Sequence, residues 1–228
     1  MEDSTSRNDV AAAWDAMAPC YDAERTSDPV YRACIRQAVA DLRPAGTVLD
    51  CGCGTGLATP YLMRADSVHA VDVSEEMLAR LEAKFPRPEL HTARADVRRL
   101  PYPDDMFDRV LVANVLQHLT PADQVRAASE IMRTLKPGGR FCVSVHHYSV
   151  EKQHAGWKKE GRPGGDRRNC GYIFRYTRAE LAALFPGARI RAMGFYGLPA
   201  QRLISSTAGH VLARLGRGHM LSAYGVAR

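Results

Sequence analysis

The stretch Val48-Leu49-Asp50-Cys51-Gly52-Cys53-Gly54-Thr55-Gly56-Leu57 decides the fold of this 228-residue chain. An apolar run from Thr47 predicts a buried strand, and a helix-like stretch begins at Leu57. Strand, glycine turn and helix together hold a nucleotide-like ligand outside the carboxyl end of a parallel sheet. Glycine suits such a turn because it adopts positive φ and lets a ligand lie against the backbone.

The glycine spacing distinguishes two kinds of ligand. A dinucleotide site has the pattern G-x-G-x-x-G, with a pyrophosphate at the helix N-terminus. Here the pattern is D-x-G-x-G-x-G, and Asp50 precedes the glycines. A carboxylate in that place would repel a pyrophosphate and suits a ligand with a cationic amine. The spacing therefore disfavours an NAD-type oxidoreductase, which stays an alternative.

Alternating strand and helix patterns follow the turn. The predicted strands are Ser67–Asp72, Leu90–Ala95, Arg109–Ala113 and Arg140–His146. Between them, one helix should begin after the capping Ser74 and end near Phe85, and another should cover Pro121–Leu135. This alternation predicts an α/β fold with a doubly wound parallel sheet.

The flanking segments are less regular. An N-terminal helix is predicted over Ala11–Ala18, ended by Pro19, and a second over Val30–Ala40. From His147 to Tyr176 the chain is rich in glycine, cations and aromatics, which predicts a lid or substrate-recognition insert. The remaining predicted elements are a helix Thr177–Leu184, a strand Arg189–Phe195, a helix Pro199–Leu215 and a strand His219–Ala227.

An acidic residue ends the second predicted strand. Asp72 lies about twenty residues beyond the glycine turn, where a carboxylate accepts both hydroxyls of a bound ribose. The alternative is a surface aspartate that starts a turn. Because Asp50 and the glycines lie upstream, the ribose-binding interpretation is favoured.

These motifs resemble those of the class I S-adenosylmethionine (SAM)-dependent methyltransferases, whose opening motif is similar to residues 48–56. Further matches are Asp72, Asp96-Val97, the tract Pro101–Asp108 and Leu135-Lys136-Pro137-Gly138-Gly139. The resemblance is close from Val48 to about His146. It implies a mostly parallel seven-stranded sheet with an antiparallel edge strand and helices on both faces. It also implies one domain over 1–228: a helical cap (1–45), a SAM-binding core (46–146), a lid (147–176), and C-terminal helices and edge strands (177–228).

The resemblance implies SAM as cofactor and S-adenosylhomocysteine as product. In the family, an acid in the position of Asp96 faces the adenine amino group, and the next backbone amide, that of Val97, faces a ring nitrogen. The cofactor-binding residues expected on this basis are Asp50, Gly52, Cys53, Gly54, Gly56, Asp72, Val73, Met77, Asp96, Val97 and Asn114.

Two residues are candidates for catalysis. Methyl transfer is an in-line displacement that depends on alignment, and an oxygen or carbon acceptor also needs a base. His118, one helical turn past Asn114, is the candidate base because histidine titrates near neutrality; packing of a short helix is the alternative. An aromatic in a Trp…Tyr-Asp context lies near the methyl group in the family, so Tyr21 is either a site residue or a packing residue. Trp14 is interpreted as packing.

Composition excludes several classes. No apolar run is long enough to span a bilayer, and the polar N-terminus carries no secretory signal. The six cysteines form no C-x-x-C pair, so we expect a cytoplasmic protein without disulfides or zinc. Adjacent His146 and His147 would point to opposite faces of a strand, and we expect no metal site.

The net charge of +6 is concentrated in the last segment. No acidic residue follows Glu180, and the six arginines beyond it account for the whole excess: Arg189, Arg191, Arg202, Arg214, Arg217 and Arg228. They form either a solvated surface or an attraction for an anionic substrate, partner or surface.

The leading hypothesis is a methyltransferase acting on a small metabolite, with an anionic acceptor as one option and secondary metabolism as one setting. Oxygen, nitrogen and carbon acceptors are not distinguished, nor is a monomer from a homodimer. The alternatives are a non-catalytic SAM-fold subunit and an enzyme acting on RNA, for which no motif is present.

Overall fold

A computed structural model describes residues 4–148, 159–161, 173–194 and 219–227. The helices are α1 Ser4–Thr26, α2 Pro29–Leu42, α3 Thr59–Leu62, α4 Glu75–Lys84, α5 Pro121–Thr134 and α6 Arg178–Leu184, with a 3₁₀ turn at Leu116–His118. The strands are β1 Thr47–Cys51, β2 Ser67–Asp72, β3 Leu90–Arg94, β4 Phe107–Ala113, β5 Leu135–His146, β6 Glu160–Gly161, β7 Ile173–Phe174, β8 Arg189–Met193 and β9 Met220–Val226. No helix in these ranges is long and apolar enough to cross a lipid bilayer.

Seven strands form one sheet in the order β3-β2-β1-β4-β5-β9-β8. Strands β1 to β5 pair in parallel, and β9 runs antiparallel to both β5 and β8. The expected mostly parallel sheet with an antiparallel edge is confirmed. The strand order reverses between β1 and β4, and in such sheets ligands bind in the crevice at that switch point.

Helices cover both faces of the sheet, as expected. On one face α2 packs its buried Cys34, Ala38 and Leu42 near Val48 and Leu111. On the other face, α5 and α6 complete a core that includes strand residues of both the parallel and the antiparallel part of the sheet. Helix α2 begins where it does because Asp28 caps it, accepting hydrogen bonds from the amides of Val30 (2.9 Å) and Tyr31 (3.0 Å).

The prediction that Pro19 ends the first helix is wrong, because α1 continues through Pro19 to Thr26. An internal proline removes one backbone hydrogen bond and usually kinks or breaks a helix. Here side chains anchor the helix on both sides of Pro19. Asp15 accepts hydrogen bonds from the Ser74 hydroxyl and the Glu76 amide, and Asp22 contacts Thr55 and Lys84.

Other boundaries also differ from the prediction; strand β4, for example, begins at Phe107 rather than Arg109. The helix expected from Leu57 begins only at Thr59 and is four residues long, because the turn continues through Ala58. Strand β5 starts at Leu135 rather than Arg140, and its register against β4 shifts between Phe107 and Arg109 before regular pairing begins.

The predicted insert is described only in part. Strands β6 and β7 pair antiparallel, and the Tyr148 amide donates to the Tyr176 carbonyl at 2.8 Å. Helix α6 lies within the predicted range Thr177–Leu184 and is capped by Thr177, which Glu180 reinforces in a capping box. The helix predicted over Pro199–Leu215, and most of 147–176, lie outside the described residues.

Candidate active site

A cavity of about 270 Å³ opens at the carboxyl ends of the parallel strands, next to the switch point. Ten of the residues proposed from the sequence line it: Tyr21, Gly52, Gly54, Asp72, Val73, Met77, Asp96, Val97, Asn114 and His118. Its lining also includes Val10, Trp14, Ala95, Arg98, Ala113, Val115, Leu119, Thr120 and Asp123. The fold therefore gathers most of the predicted site around one space.

The glycine turn forms one side of this cavity. The amides of Gly52 and Cys53 both donate to the Val71 carbonyl, at 2.7 and 3.0 Å, which fixes the turn against the end of β2. Gly52 and Gly54 have φ values of +67° and +53°, which glycine adopts without steric cost. A Cβ on Gly54 would meet only Tyr21, at 3.7 Å, so the backbone there is accessible from the cavity.

Asp72 is held by the same turn. Its Oδ2 accepts from the Gly54 amide at 2.8 Å, and its Oδ1 accepts from the Ser74 amide at 3.0 Å. Burial raises the pKa of Asp72, and hydrogen bonds from backbone amides oppose that shift. Because a carboxylate oxygen accepts more than one hydrogen bond, each oxygen keeps capacity for a ligand hydroxyl.

A second acid lies at the end of β3. Arg98 binds Asp96 through Nε, at 3.0 Å from each carboxylate oxygen, and through a terminal nitrogen at 2.7 Å. The other terminal nitrogen of Arg98 binds Asp123 at 3.0 Å. No sequence motif marks Arg98 or Asp123 as a site residue. Two sequence features could have identified them: Arg98 lies two residues past Asp96, and Asp123 is in the first turn of α5.

The end of β4 carries a strained asparagine. Asn114 has φ +62°, and its Nδ2 donates to the Tyr31 hydroxyl at 3.0 Å. The Tyr31 hydroxyl also lies 3.4 Å from that of Tyr21. Within the described part of the chain the buried Oδ1 of Asn114 has no hydrogen-bond partner. An orphaned buried acceptor beside a cavity fits a ligand donor.

An aromatic wall, formed by Trp14, Tyr21 and His118, bounds the cavity on the side of α1. The Trp14 ring meets His118 edge-on at 5.1 Å between centroids and Tyr21 edge-on at 6.2 Å. The interpretation of Trp14 as a packing residue is therefore incomplete, because its partly buried ring also lines the cavity. Burial and the neighbouring Tyr31 raise the pKa of Tyr21 well above its ordinary value, so its hydroxyl stays protonated.

Three predicted residues do not line the cavity. Asp50 is buried at the end of β1, and its Oδ2 has no hydrogen-bond partner among the described residues. Burial, followed by repulsion from Asp72, raises the pKa of Asp50 to about 7. Cys53 packs in a small apolar cluster, and Gly56 lines a separate cavity of about 360 Å³ behind the turn.

These groups fit the cofactor that the resemblance implies. Asp72 offers acceptors for a ribose, Asp96 offers them for an exocyclic amine, and the buried Asp50 favours a cation nearby. Two buried oxygens, Asp50 Oδ2 and Asn114 Oδ1, have no hydrogen-bond donor among the described residues. SAM carries an adenine, a ribose and a cationic amino acid, which matches this set of acceptors.

The chain matches a family model and is similar in sequence to named proteins. A family model described as a methyltransferase domain matches residues 49–143. The chain is 30% identical to the ubiquinone/menaquinone biosynthesis C-methyltransferase UbiE of Cupriavidus metallidurans, with 95% of each chain covered. It is 35% identical over 144 residues to the demethylmenaquinone methyltransferase of Beutenbergia cavernae, covering 60% of this chain and 58% of that relative's length.

A solved structure, the DhpI–SAM–HEP complex, has the same fold. It superposes with a TM-score of 0.70 at 19% identity, covering 98% of this chain and 99% of that one.

Proposed function

Because this chain belongs to the class I SAM-dependent methyltransferases, we propose that it methylates an oxygen, nitrogen or carbon atom of a small metabolite, with a hydroxylated ring as the leading candidate. The observation that carries this proposal is the aromatic wall. Trp14, Tyr21 and His118 border the same cavity as the acids Asp72 and Asp96.

The acceptors described above define the end of the cavity that would bind the cofactor. Asp72 binds the ribose hydroxyls, and Asp96 with the Val97 amide binds the adenine edge. Gly52 and Gly54 give the ligand close access to the backbone, and Asp50 favours its cationic amine. When bound, SAM supplies an electrophilic methyl group on a sulfonium.

His118 is the proposed base for the acceptor proton. It lies on the 3₁₀ turn directly after β4, and its ring packs edge-on against Trp14, which fixes the imidazole at the cavity wall. Tyr21 serves a different role because its raised pKa keeps the hydroxyl protonated, so it donates a hydrogen bond rather than accepting a proton. A base is needed for hydroxyl and carbon acceptors, which supports those over amines.

The names of the relatives support a ring acceptor. The Cupriavidus protein is named as a C-methyltransferase of ubiquinone and menaquinone biosynthesis, and the Beutenbergia protein is named as a methyltransferase of demethylmenaquinone. A hydroxylated ring could stack against or meet the edges of Trp14 and Tyr21, whose geometry favours flat ligands. Removal of a ring hydroxyl proton by His118 would raise electron density at the oxygen and at the adjacent ring carbon, and either atom could then be methylated. Methylation at the carbon is completed when that carbon loses its own hydrogen as a proton and the ring regains aromaticity.

Transfer of labelled methyl from SAM to a panel of acceptors tests this proposal. The panel contains reduced naphthoquinones, catechols, aromatic amines and bulk RNA. We expect label in a hydroxylated ring compound, a large loss of turnover in His118→Asn with SAM affinity retained, and normal turnover in His91→Asn. His91 is an exposed histidine on β3 that serves as the matched control. Label in RNA alone, or full turnover by His118→Asn, would contradict the proposal.

A further inference from the structure

Five arginines from separate segments lie near one another, and none of them lines the cavity. Arg109 and Arg140 are directly paired on the adjacent strands β4 and β5. Arg189 and Arg191 alternate along β8, and Arg43 follows the end of α2. We call these five residues the arginine cluster. Two of them, Arg189 and Arg191, belong to the acid-free segment singled out in the sequence.

The cluster gathers around the last turn of α2. Arg109 Nε donates to the Arg43 carbonyl at 3.1 Å, and a terminal nitrogen of Arg140 donates to the Asp41 carbonyl at 3.3 Å. Arg191 binds both carboxylate oxygens of Asp41, at 2.9 and 3.1 Å. A helix C-terminus carries partial negative charge, which explains one or two cations there.

The partial negative charge at the C-terminus of α2 is too small to balance five cations. Asp41 is the acid within the cluster, and its carboxylate is already taken by Arg191 and by Gln37. Asp108, the neighbour of Arg109, is bound by the Thr47 amide and by Lys136. The cluster therefore keeps an excess of positive charge.

Arg140 is the residue that this excess affects most. Among the described residues its buried Nε has no hydrogen-bond partner. Burial, then repulsion from Arg43 and Arg109, lowers the pKa of the guanidinium, with Arg189 adding to the same effect. Like charges directly opposite each other on adjacent strands also destabilise a sheet. Arg140 therefore has a buried donor without a partner in the described part of the chain, among positive charges that nearby acids do not balance. Such an environment favours the binding of an anion.

We propose that the arginine cluster is a second ligand site, which binds a phosphate or pyrophosphate group of a small molecule. Guanidinium forks match the geometry of such oxyanions, and several of them together suit a multivalent anion. The site is separate from the methyl-transfer cavity. Arg109 and Asn114 lie at opposite ends of β4, and five residues of strand span roughly 16 Å. The proposal does not depend on the identity of the methyl acceptor.

Calorimetry with inorganic pyrophosphate at constant ionic strength tests the site. The test variant is Arg43→Asn with Arg189→Gln. Both arginines are exposed, and asparagine tolerates the left-handed backbone of Arg43, at φ +57°. The control is Arg36→Gln with Arg87→Gln, which removes the same charge from exposed positions outside the cluster. Unchanged melting temperature and SAM affinity in both variants would show that they fold.

We expect one pyrophosphate per chain in the wild type and in the control, and at least about tenfold weaker binding in the test variant. Equal affinity in all three proteins, or no saturable binding to the wild type, would overturn the site. Sedimentation with phosphatidylglycerol vesicles distinguishes a lipid headgroup from a free anion. Binding to vesicles without binding to pyrophosphate would overturn the assignment to a small molecule.

Discussion

Asn114 Nδ2 donates a 3.0 Å hydrogen bond to the hydroxyl of Tyr31, and this bond joins the end of β4 to α2. Asn114 has a left-handed backbone that asparagine tolerates better than most residues, and Tyr31 is buried. With Nδ2 fixed, the amide plane is fixed as well. The orphaned Oδ1 is therefore held in one orientation beside the cavity, ready to accept from a ligand.

Replacing Tyr31 with Phe should weaken SAM binding several-fold and reduce turnover, because the Asn114 amide loses its anchor. The lost hydrogen bond should also lower the free energy of unfolding by about 1 kcal/mol. Calorimetry with SAM and denaturant melts measure the two effects. Tyr61→Phe, a tyrosine that lines the separate cavity, is the control. Identical SAM affinity in both variants would contradict a positioning role for Tyr31.

The two cavity glycines should respond differently to alanine. A Cβ on Gly52 would lie 2.2 Å from Val115 Cγ2, whereas one on Gly54 would have Tyr21 as its nearest neighbour, at 3.7 Å. Both substitutions should cost about 1–2 kcal/mol of stability from the left-handed backbone. Gly52→Ala should cost more because of the overlap, and Gly54→Ala should mainly weaken SAM binding.

A second substitution separates these effects. Adding Val115→Ala to Gly52→Ala should restore part of the lost stability, since it removes the overlapping methyl group. Thermal melts and calorimetry of the single and double variants are the measurements. Gly54→Ala with unchanged SAM affinity would show that the ligand does not approach this backbone.

Much of the fold could be predicted because its signals are local. The sequence of β1 and its glycine turn, the Ser74 cap of α4 and the Thr177–Glu180 capping box each involve residues only a few positions apart. The acids at the ends of β2 and β3 were also predictable, because parallel strands bring their carboxyl ends to one edge of the sheet.

The features of the structure that could not be predicted from the sequence depend on contacts between residues far apart in the chain. The continuation of α1 through Pro19 depends on Asp15 reaching Ser74, 59 residues away. The binding of Arg98 to Asp123 joins residues 25 apart, and no local pattern marks it. The arginine cluster forms only after strand pairing brings Arg109 beside Arg140.

Arg98 should position Asp96 for the adenine end of the cofactor. Its guanidinium holds both oxygens of that carboxylate and also binds Asp123. Arg98→Gln should leave Asp96 and Asp123 without the cation that binds them both, and it should weaken SAM binding by about tenfold. Arg98→Lys should have an intermediate effect, because lysine keeps the charge but lacks the planar fork.

The specific readout is discrimination between S-adenosylhomocysteine and its inosine analogue, which has a carbonyl in place of the adenine amine. The wild type should prefer the adenine compound, and Arg98→Gln should lose much of that preference. Arg99→Gln, an exposed neighbour, is the control. Equal loss of affinity for both compounds would assign Arg98 a purely structural role.

Asp50 should make stability depend on pH. Its folded pKa, about 7, lies above its ordinary value of 3.8, mainly because of burial. The folded state therefore holds the proton more tightly than the unfolded state, and the contribution of Asp50 to stability falls as pH rises between these two values. Ionising this buried carboxyl should cost on the order of 4 kcal/mol at most.

Asp50→Asn replaces the carboxyl with a neutral isostere and should remove that decline. Denaturant melts should show similar stabilities near about pH 4 and a more stable variant near about pH 8. SAM affinity should change in the opposite sense, since the ionised carboxylate attracts the cofactor's amine: it should rise with pH in the wild type and stay low in Asp50→Asn. Asp105→Asn, an exposed aspartate whose φ of +54° asparagine tolerates, is the control. Parallel stability curves for wild type and Asp50→Asn would show that this carboxyl titrates at its ordinary pKa and would remove the electrostatic basis for its role.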